Sequence, residues 1–399
     1  MRSFSERLRG LDALMDRYLW RHPRVTGTLA SYGVLLLFGL AAAVFVGSGA
    51  AFGGTVHGIV YSTQDGDVVS LQPESGETVT VYGGDGYATA PSEGARTLSF
   101  SVLRGEGDSL RGDLYRVNLV QQTLARLISA RPGEAFVFPE FSQGRGRIAA
   151  THYAEGSPPN VLISFAGGVS SQLLQPQLPE SPALQAPEWL SGTAVYAWRT
   201  DGERISLVAH DFLERQQAEV YEPEGEVDAL SYFSQWNALL FAERPRDSGL
   251  AGSQIKVRAG NSELPVSGAG GLGLYDPSPG GASLEGEIAL LWTDPGTGET
   301  GLGTLDPDGW TFEKTGVEVE PGSRNPRVSP DGLYLAVTDG SGSEISVHSM
   351  EDSSLLRRID DVQPPGEALD RLREAGMEVP EGSERRSPAG FSWSSFEGS

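Results

Sequence analysis

The side chains able to do acid–base or metal chemistry are scattered. The five histidines are His22, His57, His152, His210 and His348; the last four fall in different stretches of short, alternating apolar and polar residues. They would converge only if several of those stretches faced one axis, so an ordinary buried role is expected for each. Acidic side chains recur in the turns Asp65-Gly66-Asp67, Asp201-Gly202, Asp306-Pro-Asp-Gly309 and Asp331-Gly332. Asp caps a turn and Gly accepts positive φ, which accounts for Asp65, Asp67, Asp306 and Asp308 without a calcium ion; none completes an EF-hand spacing.

Other chemistries fail on residue type. With 0 cysteines there are no disulfides, no thiolate metal ligands, no thiol nucleophile and no lipidated cysteine. There is no Gly-x-Ser-x-Gly elbow, no phosphate-binding loop around either lysine (Lys256, Lys314) and no His-Glu-x-x-His. Catalytic residues stay unassigned, and no metal or other cofactor is expected. The formal net charge of -23 repels phosphate backbones, so nucleic acid is not an expected partner.

The elements that must position any site are short strands. With 52 glycines and 25 prolines in 399 residues, turns are plentiful. Residues 325–359 read as one four-stranded antiparallel unit: an extended segment, a Ser329-Pro330-Asp331-Gly332 turn, residues 333–338, a turn at Asp339-Gly340, residues 345–348 and a last run ending at Ile359. Residues 187–208 repeat it. Pro187 precedes Ile205 by 18 positions and Pro326 precedes Ile345 by 19. Trp189, Trp198, Trp236 and Trp292 lie in or beside predicted strands and are expected in the core rather than on a sugar-stacking surface.

Pro326-Arg-Val-Ser-Pro-Asp-Gly332 followed by residues 333–337 and 345–347 resembles the repeat of TolB-like (WD40-like) β-propellers, including membrane-anchored bacterial types. The resemblance implies an all-β fold, a β-propeller of six (possibly seven) four-stranded blades, in which the first strand near residues 57–61 completes the last sheet. It also implies an extracytoplasmic module that binds proteins, peptides or small ligands at a ring end.

The expected organisation is a cytoplasmic Arg-rich tail at 1–27, a transmembrane helix at 28–52, the propeller at 54–360 and a flexible C-terminal tail at 361–399. The uncharged run from Leu29 to Phe52 has the length of a membrane-crossing helix, and the arginines before it place the N-terminus inside. A two-turn helix is expected near 367–375. The leading functional expectation is a non-enzymatic, single-pass, membrane-tethered propeller that holds an envelope protein or peptide on one face. The alternative is an extracytoplasmic hydrolase or lyase whose polar residues meet in the propeller channel.

Overall fold

The computed structural model describes residues 50–51, 58–89, 91–94, 97–142, 146–165, 170–260, 262–280, 284, 287–387 and 390–394. The chain divides into two units, Met1–Ala50 and Ala51–Ser399. The described strands form six sheets, four of four strands, one of five, and one of ten that joins two blades through a short parallel pairing of Glu134 and Ala135 with Arg111 and Gly112. Taken blade by blade they make seven antiparallel units.

Taken inside to outside, blade 1 is Phe391–Ser394, Gly58–Ser62, Val68–Leu71 and Thr78–Tyr82. Blade 2 has a broken inner strand, Tyr87–Ala88 with Ser92–Gly94, then Thr97–Arg104, Arg111–Asn118 and Thr123–Ile128. Blade 3 is Glu134–Phe141, Arg147–Ala154, Ser157–Phe165 and Ser171–Leu173. Blade 4 is Ala183–Trp189, Ala194–Asp201, Arg204–Asp211 and Gln216–Tyr221. Blade 5 again has a split inner strand, Glu226–Val227 with Ser231–Phe233, then Ala238–Arg244, Gln254–Ala259 and Ser262–Leu264. Blade 6 is Gly273–Pro279, Ile288–Thr293, Thr300–Asp306 and Thr311–Val319. Blade 7 is Arg324–Val328, Tyr334–Thr338, Ile345–Ser349 and Leu355–Ile359.

The second strand of nearly every blade is buried on both faces, as Ala238–Arg244 and Ile288–Thr293 show. Such strands read as continuous apolar runs because neighbouring blades cover both sides. Trp198, fully buried, meets Phe241 of the next blade edge-on at 5.7 Å between ring centroids. Trp189 and Trp292 are likewise buried, while Trp236 is partly so.

Of the six or possibly seven blades expected, the described residues show seven. Three other expectations need correction. The first concerns closure, because the ring closes the other way round. The C-terminal strand Phe391–Ser394 pairs with Gly58–Ser62, supplying the inner strand that the first blade lacks. Trp393 Nε1 also donates to the carbonyl of Arg327 on blade 7 at 2.8 Å, so the last strand latches the first and last blades and removes a free edge.

The flexible tail expected at 361–399 is therefore ordered where it is described. Pro365–Glu374 forms helix α1, with Pro at its first position and Ala368, Leu369 and Leu372 buried. Those side chains pack on Tyr87, Leu103, Leu110, Ala135 and Val137 of blades 2 and 3. Gly376, in the left-handed region at φ 74, ends the helix. A short helix α2, Ser383–Arg386, follows before the closing strand. This segment covers the end of the ring where the inner strands begin.

The third correction concerns the membrane. No helix among the described residues is long and apolar enough to cross one. Most of the span expected at 28–52 lies outside the described residues, as does the tail at 1–27. Ala50–Ala51, which the span was to include, form a two-residue strand. Glycines at 47 and 49 make this end of the apolar run a poor helix former. The single-pass topology, the localisation and the membrane as partner all rested on that span and are not carried forward.

Candidate functional site

A bulge repeated on the inner strands builds the site. In blade 3, Val137 pairs with Thr151 and Glu140 with Ala149, so three steps on one strand match two on its neighbour. The same slip separates Gln185 from Glu188, Tyr275 from Ser278 and Arg324 from Arg327. At each bulge a non-glycine residue takes positive φ: Phe138 (53), Ala186 (50), Asp276 (51) and Asn325 (53). In all four, proline comes next. Proline has no N–H for the ladder and is tolerated because nothing pairs with an inner strand on its axial side. The bulge then turns the residue after proline out of register.

Those residues are Glu140, Glu188, Ser278 and Arg327, and all four line one central cavity of about 190 Å³. Tyr232 and Ser231 of blade 5 and Asp276 of blade 6 contribute to the same wall. The bulge amides are satisfied from the preceding blade. Thr151 Oγ1 accepts from Ala186 N at 3.1 Å, and Asp276 Oδ2 from Asn325 N at 2.8 Å.

The two glutamates dominate the electrostatics. Withdrawal from water pushes the Glu140 carboxyl up to about 7, against the opposing pull of Arg327 and a hydrogen bond from Ser92 Oγ at 3.5 Å. Burial raises Glu188 well above the usual carboxylate range, and the charge of Glu140 raises it further. The Tyr232 amide, donating to Glu188 Oε1 at 3.0 Å, and Arg327 only partly offset this. Two carboxyls that cannot both ionise easily make a natural acid and base.

Beside the cavity, charge is balanced by pairing. Arg324 donates to Asp276 through Nε (2.6 Å) and Nη2 (2.9 Å) and lies 3.2 Å from Asp228. Asp228 also meets Arg244 at 3.4 Å, and Arg244 meets Glu226 at 3.2 Å. Glu226 in turn pairs with Arg385 of α2. One network thus joins blades 5, 6 and 7 to the C-terminal segment.

The histidines stay apart. His152, His210 and His348 are buried in blades 3, 4 and 7, and none lines the cavity; burial lowers the pKa of all three. His22 and His57 lie outside the described residues. Of the turn aspartates, Asp306 caps its turn, its Oδ1 accepting from Asp308 N at 2.9 Å, while Asp67 Oδ1 accepts from the more distant Gly84 N at 3.4 Å. Sequence reasoning missed Glu140, Glu188, Arg327 and Ser278. The signal was present as the repeated proline followed by the residue that faces the cavity.

No known family model and no characterised sequence matches this chain. Its similarity to solved structures is in the fold. An oligogalacturonate lyase in complex with manganese is 11% identical, with TM-score 0.54, over 77% of this chain and 86% of the lyase. The oligogalacturonate lyase of Vibrio parahaemolyticus is 12% identical at TM-score 0.54, covering 77% of this chain and 87% of its own. The periplasmic gluconolactonase PpgL of Pseudomonas aeruginosa is 14% identical at TM-score 0.52, covering 77% and 97%. The fold is that of a β-propeller. At these identities the likeness reaches the fold and no further.

The non-enzymatic expectation gives way to these findings. The channel gathers two half-buried, mutually repelling glutamates and an arginine, an arrangement suited to acid–base chemistry rather than to a passive binding face. The envelope partner expected on a ring face rested on a span that lies mostly outside the described residues, and the C-terminal helix packs on blades 2 and 3.

Proposed function

We propose that this chain is an enzyme that uses Glu140 and Glu188 as a general acid–base pair in the central cavity, in lyase or lactone-hydrolysing chemistry on a small sugar derivative. The observation that carries the reading is the placement of two glutamates from adjacent blades in one cavity, each held toward its neutral form and one raised by the other. A carboxyl poised near 7 exchanges protons efficiently at neutral pH. The sugar-derived substrate is suggested by the oligogalacturonate lyases and the gluconolactonase of the same fold.

One pair serves either reaction. In an elimination, the ionised glutamate takes the proton beside the substrate's carboxylate and the neutral one protonates the departing glycosidic oxygen. In lactone hydrolysis, the ionised glutamate takes a proton from the attacking water and the neutral one protonates the ring oxygen as the C–O bond breaks. One related lyase holds manganese, but among the described residues no group of three or more His, Asp or Glu could hold a metal ion. No step is routed through a metal.

The test is an activity assay of the full chain on oligogalacturonate, followed by absorbance of the unsaturated product, and on gluconolactone, followed by acid release. Glu140→Gln and Glu188→Gln should each lower turnover by about 10²–10⁴-fold in a chain at least as stable as wild type. A wild-type chain inert on both substrates, or variants as active as wild type, would refute the proposal.

A further inference from the structure

Arg386 sits at the boundary between the C-terminal segment and the central cavity. It is 2% exposed and lines the cavity wall. Neutral oxygens hold it. Its Nε donates to the carbonyl of Gly382 at 3.1 Å, and Nη2 donates to the carbonyl of Glu381. The amide of Gln185, oriented by its neighbours, accepts from Arg386 Nε (3.2 Å), Nη1 (3.2 Å) and Nη2 (3.0 Å) and donates to Ser383 Oγ at 2.7 Å. Among the described residues, no carboxylate lies within 4.0 Å of its guanidinium. Glu384 is paired with Arg373 and Glu226 with Arg385, and the charges of Glu384 and Glu381 act on Arg386 only from beyond ion-pair distance, too weakly to offset its loss of water.

This arrangement is costly for a protein alone, because a buried cation without a counter-charge gives up its hydration for weaker partners. Arg327, the other arginine on the cavity wall whose charge is unmatched, also has no carboxylate within 4.0 Å among the described residues. The glutamates it faces are both held toward neutrality. Ser278 Oγ lines the same wall, is 2% exposed, and finds no partner among the described residues.

We propose that the central cavity binds the carboxylate of a small hydroxylated organic acid, with Arg386 of the C-terminal segment and Arg327 of blade 7 supplying the positive charge and Ser278 a hydrogen bond. A monoanion suits the cavity better than a dianion, which would meet Glu140 whenever that residue ionises. At about 190 Å³ the space is smaller than the ~300–1,000 Å³ of drug-sized sites, so the ligand is of single-sugar size. The inference shares its cavity with the acid–base reading but does not depend on the glutamates' chemistry. It also gives the C-terminal segment a part in binding as well as in closing the ring.

The test is calorimetric titration of the full chain at pH 6, where Glu140 still holds its proton, and low salt with a hexuronate, the matching neutral hexose and the hexose phosphate. The hexuronate should bind at least about tenfold more tightly than the hexose, the scale of one charged hydrogen bond. Arg386→Gln should remove that margin, and Arg386→Lys should keep part of it. Equal binding of charged and neutral sugars, tighter binding of the phosphate, or an Arg386→Gln variant that binds like wild type would overturn the inference. If Arg386→Gln does not fold, Arg327→Gln on the ring is held to the same criterion. Charge-selective binding without turnover would sink the acid–base reading and leave this site standing; turnover without charge selectivity would do the reverse.

Discussion

Replacing Glu140 by glutamine keeps the shape of the side chain and removes its ability to ionise, so it isolates what burying that carboxyl costs. In the folded chain the group titrates at about 7, against an ordinary 4.5. A folded pKa above the unfolded one means that the native state holds the proton more tightly. The associated stability is fully present below pH 4.5 and is lost as pH rises through about 7. At about 1.4 kcal/mol per pH decade, that interval corresponds to a loss of about 3 kcal/mol by pH 8. Glutamine pays none of this, so Glu140→Gln should equal wild type in stability at pH 4 and exceed it by up to about 3 kcal/mol at pH 8.

The assay is urea unfolding of both proteins at pH 4, 6 and 8, read as the difference between them so that other carboxylates cancel. Turnover should fall in the same variant, and a stabilising change that abolishes activity is what a functional carboxyl held against its preference predicts. A wild-type-minus-variant difference that does not change with pH would refute the reasoning. So would one that grows toward acid, because Glu140 would then be a carboxylate held ionised by its surroundings, with a lowered rather than a raised pKa.

Asp276→Asn strips Arg324 of its bidentate partner while leaving the guanidinium buried, and should cost about 3–5 kcal/mol; urea unfolding that shows less than about 1 kcal/mol would mean that Asp228 suffices. Truncation after residue 390 removes the strand that pairs with Gly58–Ser62, and should produce self-association on size-exclusion chromatography through the freed edge; a monomer with unchanged unfolding would show that the latch is dispensable. Leu369→Ala empties a fully buried position under the C-terminal segment and should cost about 2–5 kcal/mol, read by chemical denaturation; a cost near zero would mean that α1 rests loosely on the ring.

The blades were legible because their periodicity is local. The 187–208 and 325–359 units are equivalent in space as in sequence, Pro187 and Pro326 both falling in inner-strand bulges of blades 4 and 7. Blade number was harder to read. Blade 1 shows only three strands in its own stretch and borrows the fourth from residues 391–394, where Ser and Gly suggest a tail. The inner strands of blades 2 and 5 are broken into stubs of two and three residues, too short to carry an alternation. The C-terminal segment buries Ala368, Leu369 and Leu372, a stripe too narrow to distinguish from a tail helix when the surface it covers, Tyr87 to Val137, lies so far back in the chain.

The candidate site was hidden for a different reason. A propeller draws its axial residues one or two at a time from each blade, so no contiguous motif records the cavity, and the search for elbows, loops and paired histidines had nothing to find. What the sequence does hold is a repeated backbone instruction. Phe138-Pro139-Glu140, Ala186-Pro187-Glu188, Asp276-Pro277-Ser278 and Asn325-Pro326-Arg327 each set a positive-φ residue before a proline and a polar side chain after it. The backbone pays strain at the first position. The second offers no N–H on the side where no strand pairs, and the polar side chain at the third reaches the axis. Four repetitions of that cost make sense only if the third residues are wanted there together. Two of them are carboxyls that repel, one is an arginine and one is a serine without a partner among the described residues. A ring needing only to be stable would fill those places with apolar side chains, because burying polar groups that pair poorly works against folding.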